Sequence, residues 1–159
     1  MRRLDAEIAG VTEVQRALAD LVRLGRRAAE AYRAAEEVVD DHRVQAALIQ
    51  LRLDHERHAD ELEEALGELG GEAPNAQGEA EEDENAVEAV VRRGATGGVE
   101  VFSAMLASED SLMRAYERYV GRGFTEPVRA MLARHHREEE AHLEWLEESH
   151  WWRAMRAGE

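Results

Sequence analysis

Two stretches set 84 residues apart decide the fold: LRLDHERHADE at 51–61 and HHREEEAHLEW at 135–145. Both are too charged to look like core, yet each sits on a helical apolar face. At about 100° per residue, positions three, four and seven apart share one side of a helix. Around the second stretch that side carries Val128, Leu132 and Leu146, and the positions completing it are His135, Glu139 and His142. Around the first it carries Val44, Leu48, Leu51, Leu62 and Leu66, completed by His55 and His58. Glu138, Glu140, Glu144 and Glu147 fall off the stripe and read as a solvated acidic face.

The 84-residue offset also maps Tyr32 onto Tyr116, Val44 onto Val128, Leu48 onto Leu132, His58 onto His142 and Leu62 onto Leu146. Two copies of a helical hairpin, packed on each other, make a four-helix bundle. The spacing predicts a first helix starting near Thr12, where TEVQ fits a capping box. A second is predicted from His42 to Leu69, stopped by Gly70 and Gly71. After a short piece, AVEAVVRR, come a third long helix with Phe102, Met105, Leu112, Met113, Tyr116 and Val120 inward, and a fourth after GRGFTEP, with Thr125 as candidate N-cap. No β-type alternation competes. The reading is therefore all-α: one domain over 1–159, with hairpin one at about 12–69, an acidic crossover at 70–85 and hairpin two at about 86–150.

Composition narrows the partners. With 35 acidic against 20 basic residues the net charge is −15, which repels phosphate backbones and anionic lipid, so neither nucleic acid nor membrane is expected. There is no cysteine, hence no disulfide or thiolate chemistry, which suits a cytoplasmic protein. No run approaches membrane-spanning length and the N-terminus lacks a signal-like apolar region. Ala17, Ala31 and Ala34 read as a small-residue outer face of helix 1 suited to a homodimer contact.

The polar residues on the inward faces carry the chemistry. Folding each hairpin about its turn brings His55, His58, Glu109, His135, Glu139 and His142 to one height, with Gly25 of helix 1 at the same level. Glu36 faces inward but lies roughly ten residues from that height, too far at about 1.5 Å per residue to join them. Burying carboxylates and imidazoles without partners is costly, so they must pair or bind a cation. Glu139 and His142, at i and i+3, reach the same point along the helix, and carboxylate with imidazole suits iron, manganese or zinc. Glu109, His55 and His58 complete the candidate ligand set. His135 is either a ligand or a group orienting Glu139, and Tyr32 and Tyr116 are expected to hydrogen-bond inward carboxylates. Trp145, Trp151 and Trp152 read as covering a bundle end or a subunit contact.

These residues carry a resemblance. Glu139-x-x-His142 within REEEAHLEWL looks like the fourth-helix ligand motif of ferritin-like and rubrerythrin-like bundles. Glu109, seven residues before Tyr116, resembles their third-helix glutamate and tyrosine, and LDHERHADEL at 53–62 resembles the second-helix motif. TGG before helix 3 and AYRAAEEVV in helix 1 are similar to a bacterial branch of the same superfamily. The resemblance implies a metal, iron first with zinc or manganese as alternatives, and oxygen- or peroxide-linked redox activity. Its pattern takes one glutamate from each of two helices and Glu-x-x-His from each of the other two. Here Gly25 stands at one glutamate position and His55 replaces the glutamate of the second motif. Asp54, one residue earlier, compensates only if the helix rotates. The readings open from sequence are a histidine-rich metal site, a metal-free polar core in a scaffold or stress-associated interaction protein, and a larger ligand such as haem in the space beside Gly25.

Overall fold

The computed structural model of the chain describes residues 2–72, 86–92 and 99–157, with side chains described at 10–72, 87, 89–92 and 99–149. Most of the acidic crossover (73–85), the TGG at 96–98 and the side chains of His150, Trp151 and Trp152 lie outside these. Five helices occur among the described residues: α1 (Arg2–Val38), α2 (His42–Glu68), α3 (Ala86–Arg92), α4 (Val99–Val120) and α5 (Val128–Ala157). Four of them form the expected bundle. The α1–α2 and α4–α5 hairpins pack broadly within themselves, α1 packs on α4, and the short α3 lies against both α1 and α4.

Local chemistry sets the helix ends. The Asp41 carboxylate accepts from the backbone N–H groups of Arg43 (2.9 Å) and Val44 (3.2 Å), so α2 begins with two of its orphan donors satisfied. At its other end Gly70 adopts a left-handed φ of 76°, and the Gly71 N–H turns back to donate to the Leu66 carbonyl at 2.9 Å. Helix α1 corrects the sequence reading: it runs through Thr12 rather than starting there. The ten residues before Thr12 include Arg, Leu, Ala, Glu and Ile, and the isolated Gly10 costs only about 1 kcal/mol, too little to end a helix. At α5, Thr125 engages through its carbonyl, which accepts from the Arg129 N–H at 3.1 Å.

The core has three tiers. One apolar block gathers Tyr32, Ala35, Leu48, Phe102, Met105 and Leu146, with the half-buried Trp145 against it. The other gathers Leu18, Leu21, Leu62, Leu66, Leu112, Tyr116 and Leu132. Between them lie His55, His58, Glu109, His135, Glu139 and His142, none more than 4% exposed. Ala17 and Ala31, expected on an outer face, are 1% and 2% exposed and belong to the interior, because Leu18, Leu21 and Tyr32 draw that side of α1 inward. Of the three alanines expected at a homodimer contact, Ala17 and Ala31 are therefore unavailable and Ala34 is half-buried. No helix among the described residues is long and apolar enough to cross a membrane.

Candidate metal centre

Glu139 of α5 is the hub of the polar tier. Its Oε1 lies 2.9 Å from His58 Nδ1 and 3.3 Å from His55 Nδ1, and its Oε2 lies 3.2 Å from His142 Nδ1. Glu109 of α4 faces it: Oε2 is 3.2 Å from His55 Nε2, and Oε1 is 3.5 Å from His142 Nδ1. His55, Glu109, Glu139 and His142 each offer a ligand atom, and these four atoms lie within 4.8 Å of one another, all from buried residues. His58 stands beside the group, with one nitrogen on Glu139 and the other on Glu138.

Helix α1 contributes the phenol of Tyr32, while Gly25 holds the position at which sequence symmetry would ask for a carboxylate. The Tyr32 hydroxyl donates to Glu109 Oε2 at 3.1 Å, and its ring centroid is 5.0 Å from that of His55. Burial, reinforced by Glu109 and Glu139, pushes this phenol well above its ordinary pKa, so it stays a donor. Gly25 serves close helix approach instead of opening a cavity: a methyl there would meet the Ala59 methyl at 3.6 Å and the His55 carbonyl at 3.9 Å. The space imagined for a haem is filled by α2. Tyr116 departs from expectation too, since its hydroxyl lies 3.2 Å from His135 Nδ1 rather than on a carboxylate. The 84-residue shift maps Glu109 onto Gly25, so the partner symmetry would supply to Tyr116 does not exist.

Electrostatics split the histidines. Burial lowers the pKa of His55, but the Glu139 and Glu109 carboxylates outweigh it and hold the imidazolium well above its usual range. Burial likewise opposes His142, and hydrogen bonds to Glu109 and Glu139 carry it to about 9. Glu139, raised by burial, is pulled well below the usual carboxylate range by His55 and the other imidazoles. His135 goes the other way, to about 4, through burial and repulsion from His58, whose ring stacks on it at 4.1 Å. A neutral His135 can accept from Tyr116 at Nδ1 and donate from Nε2 to Glu61 at 2.7 Å.

Three acids on the edge of the tier complete the picture, and only Asp54 was anticipated. Asp54 Oδ2 lies 3.0 Å from His142 Nε2, on the side away from Glu139, with no rotation of α2. Glu61 holds His135, and Glu138 holds His58. Glu138 is thus no freely solvated residue: Arg57 and His58 fix it at the boundary, half-buried. Glu140, Glu144 and Glu147 are exposed, and Glu36 pairs with Arg52 at 2.7 Å, outside the centre.

No family model and no curated protein matches the chain. In structure it is similar to the bacterioferritin of Desulfovibrio desulfuricans, solved by X-ray with its diiron site in different catalytic states. The two are 21% identical with a TM-score of 0.73, over 89% of this chain and 80% of that one. At that identity the likeness establishes the fold, a ferritin-like four-helix bundle.

Proposed function

We propose that the chain is a ferritin-like metal-binding protein whose polar tier holds one transition-metal ion, iron first, on His55, Glu109, Glu139 and His142. The observation that carries this reading is an unmet demand in the core. Neither ring nitrogen of His55 meets hydrogen-bond geometry, although Glu109 Oε2 and Glu139 Oε1 lie only 3.2 and 3.3 Å away, and Glu109 Oε1 has His142 Nδ1 no nearer than 3.5 Å. Buried polar atoms so poorly aligned forfeit up to about 1–3 kcal/mol each, and a cation is the ligand for which two carboxylates and two imidazoles are suited. Tyr32 on Glu109 and Asp54 on His142 would orient the donors from behind, with His58 in reserve beside Glu139.

The donor count supports a single ion where the solved bacterioferritin is described with a diiron site. Two buried carboxylates balance one divalent cation, and the remaining acids, Asp54, Glu61 and Glu138, lie at the rim and already engage His142, His135 and His58. Bound iron with open coordination positions would supply redox chemistry toward oxygen or peroxide. The protein's own part would be to exclude water with the two apolar blocks and to yield the protons of His55 and His142 as the ion enters.

Metal-free protein titrated with Fe(II) under anaerobic conditions, and with Zn(II) and Mn(II), tests this. Saturation near one equivalent is expected. Free metal at a hundred times the dissociation constant stabilises by about 2.7 kcal/mol, which raises Tm by about 5–10 °C. The double variant Glu109→Gln, Glu139→Gln should show neither effect. Less than about a tenth of an equivalent bound, with no Tm change in wild type, would refute the proposal.

A second reading has its own support. His55 and His142, both held toward their charged form, lie within 3.5 Å of the Glu109 and Glu139 carboxyls, which gives the core a pairing without metal. The protein would then be a non-enzymatic scaffold, and Tm would ignore metal in wild type and variant alike.

A further inference from the structure

The polar tier has closed sides and one that meets solvent. Toward α1 it is shut by Tyr32 and Ala28, both buried, and by the close approach of Gly25 to Ala59. Toward α4 it is shut by Met105 and Leu112. Between α2 and α5 the seam is polar at the level of the tier. There His58, His135 and His142 each turn one nitrogen outward onto Glu138, Glu61 and Asp54 respectively, and the side chains of these acids are 32%, 30% and 25% exposed. A single guanidinium ties all three together. Arg57 lies 3.5 Å from Asp54, 3.3 Å from Glu61 and in direct contact with Glu138, while its own side chain is 43% exposed.

We propose that Arg57 is an electrostatic latch on the route by which a divalent cation reaches the buried centre. This rests on the metal-binding reading above. Three carboxylates at one opening attract cations, and two guanidiniums, Arg57 across all three acids on a long, half-exposed stem and Arg134 in contact with Glu61, neutralise them only in part. Exposed ion pairs of this kind are weak and compete poorly with a divalent ion, so the stem swings out at little cost. The entering ion then meets acids that already touch the three imidazoles. One layer deeper lies His55, fully buried, its two nitrogens 3.2 and 3.3 Å from Glu109 and Glu139 but without hydrogen-bond geometry to either, and there the route ends. Arg57 therefore governs how fast the ion enters and leaves. It contributes no donor to the centre.

Stopped-flow uptake of Co(II) by metal-free protein at low ionic strength, followed by the cobalt absorption band, tests the latch. Release to excess EDTA is measured on the loaded protein. Arg57→Gln should load about tenfold faster and release faster than wild type, because one cationic barrier is gone from the opening. Arg57→Lys keeps the charge and should stay within about twofold of wild type. Arg114→Gln removes the same charge from the exposed face of α4, where Arg114 pairs with Asp110, and should also stay within about twofold. Circular dichroism of each variant checks the fold. Wild-type rates in Arg57→Gln, or equal acceleration by Arg114→Gln, overturn the latch while leaving the metal centre standing. Absence of cobalt binding by wild type at equilibrium overturns the metal reading and the latch with it.

Discussion

Removing the charge of Glu139 should reshape the pH dependence of stability in the metal-free protein. Glu139 is fully buried and touches His55, His58 and His142, so Glu139→Gln keeps the shape and deletes the charge. The Glu139 carboxyl is held well below its ordinary 4.5; its stabilising share is present above about pH 4.5 and is lost as pH falls through the depressed value. His142 is raised from 6.5 to about 9; its share is complete below pH 6.5 and is lost as pH rises through 9. His55 moves in the same direction as His142. The plateau of wild-type stability therefore lies between about pH 4.5 and 6.5. A shift of this size on one buried histidine corresponds to about 3 kcal/mol, at about 1.4 kcal/mol per pH unit. Glu109 shares in raising His142, so in urea melts of metal-free protein the gap between wild type and Glu139→Gln should be at most about 3 kcal/mol near pH 6 and should close above pH 9. Saturating metal should move the wild-type optimum upward, because the ion replaces the protons lost there. A gap that stays constant from about pH 6 to 10, or widens, would refute the coupled-charge account of the tier.

Two further substitutions probe the support around it. Gly25→Ala places a methyl in ordinary contact with Ala59, and helix propensity should then raise Tm by about 2–4 °C in thermal melts; a lower Tm would mean α1 and α2 pack more tightly than the 3.6 Å contact allows. Tyr32→Phe removes the donor to Glu109 Oε2 and should weaken metal affinity by about tenfold in isothermal titration; an unchanged affinity would reduce Tyr32 to core filling.

The bundle was legible because its signals are periodic. An 84-residue repeat and uninterrupted apolar stripes fix which face of each helix turns inward, and the same stripes exposed the six polar residues within them. Edge positions carry no such signal. Glu61 and Glu138 sit off the stripe, and their long side chains reach the imidazoles only because α2 and α5 face each other across a polar seam. Ala17 and Ala31 misled for the opposite reason: alanine suits a buried face and an exposed one equally, so its side must come from its neighbours. The start of α1 was missed because a capping box inside a helix is only another pair of polar residues. Tyr116 needed the absence of its symmetry partner, at Gly25, to explain its turn toward His135.

The three-tier core has a further consequence, for how the two halves find each other. Two leucine-rich blocks alone would tolerate one hairpin sliding along the other by a helical turn, about 5.4 Å, with little loss of apolar contact. With the charged tier between them, that slip would set leucines of either block against His55 and Glu139 and strand both charges in hydrocarbon. The tier thus works as an alignment key, admitting one mating of the hairpins and rejecting its neighbours before any ion is present.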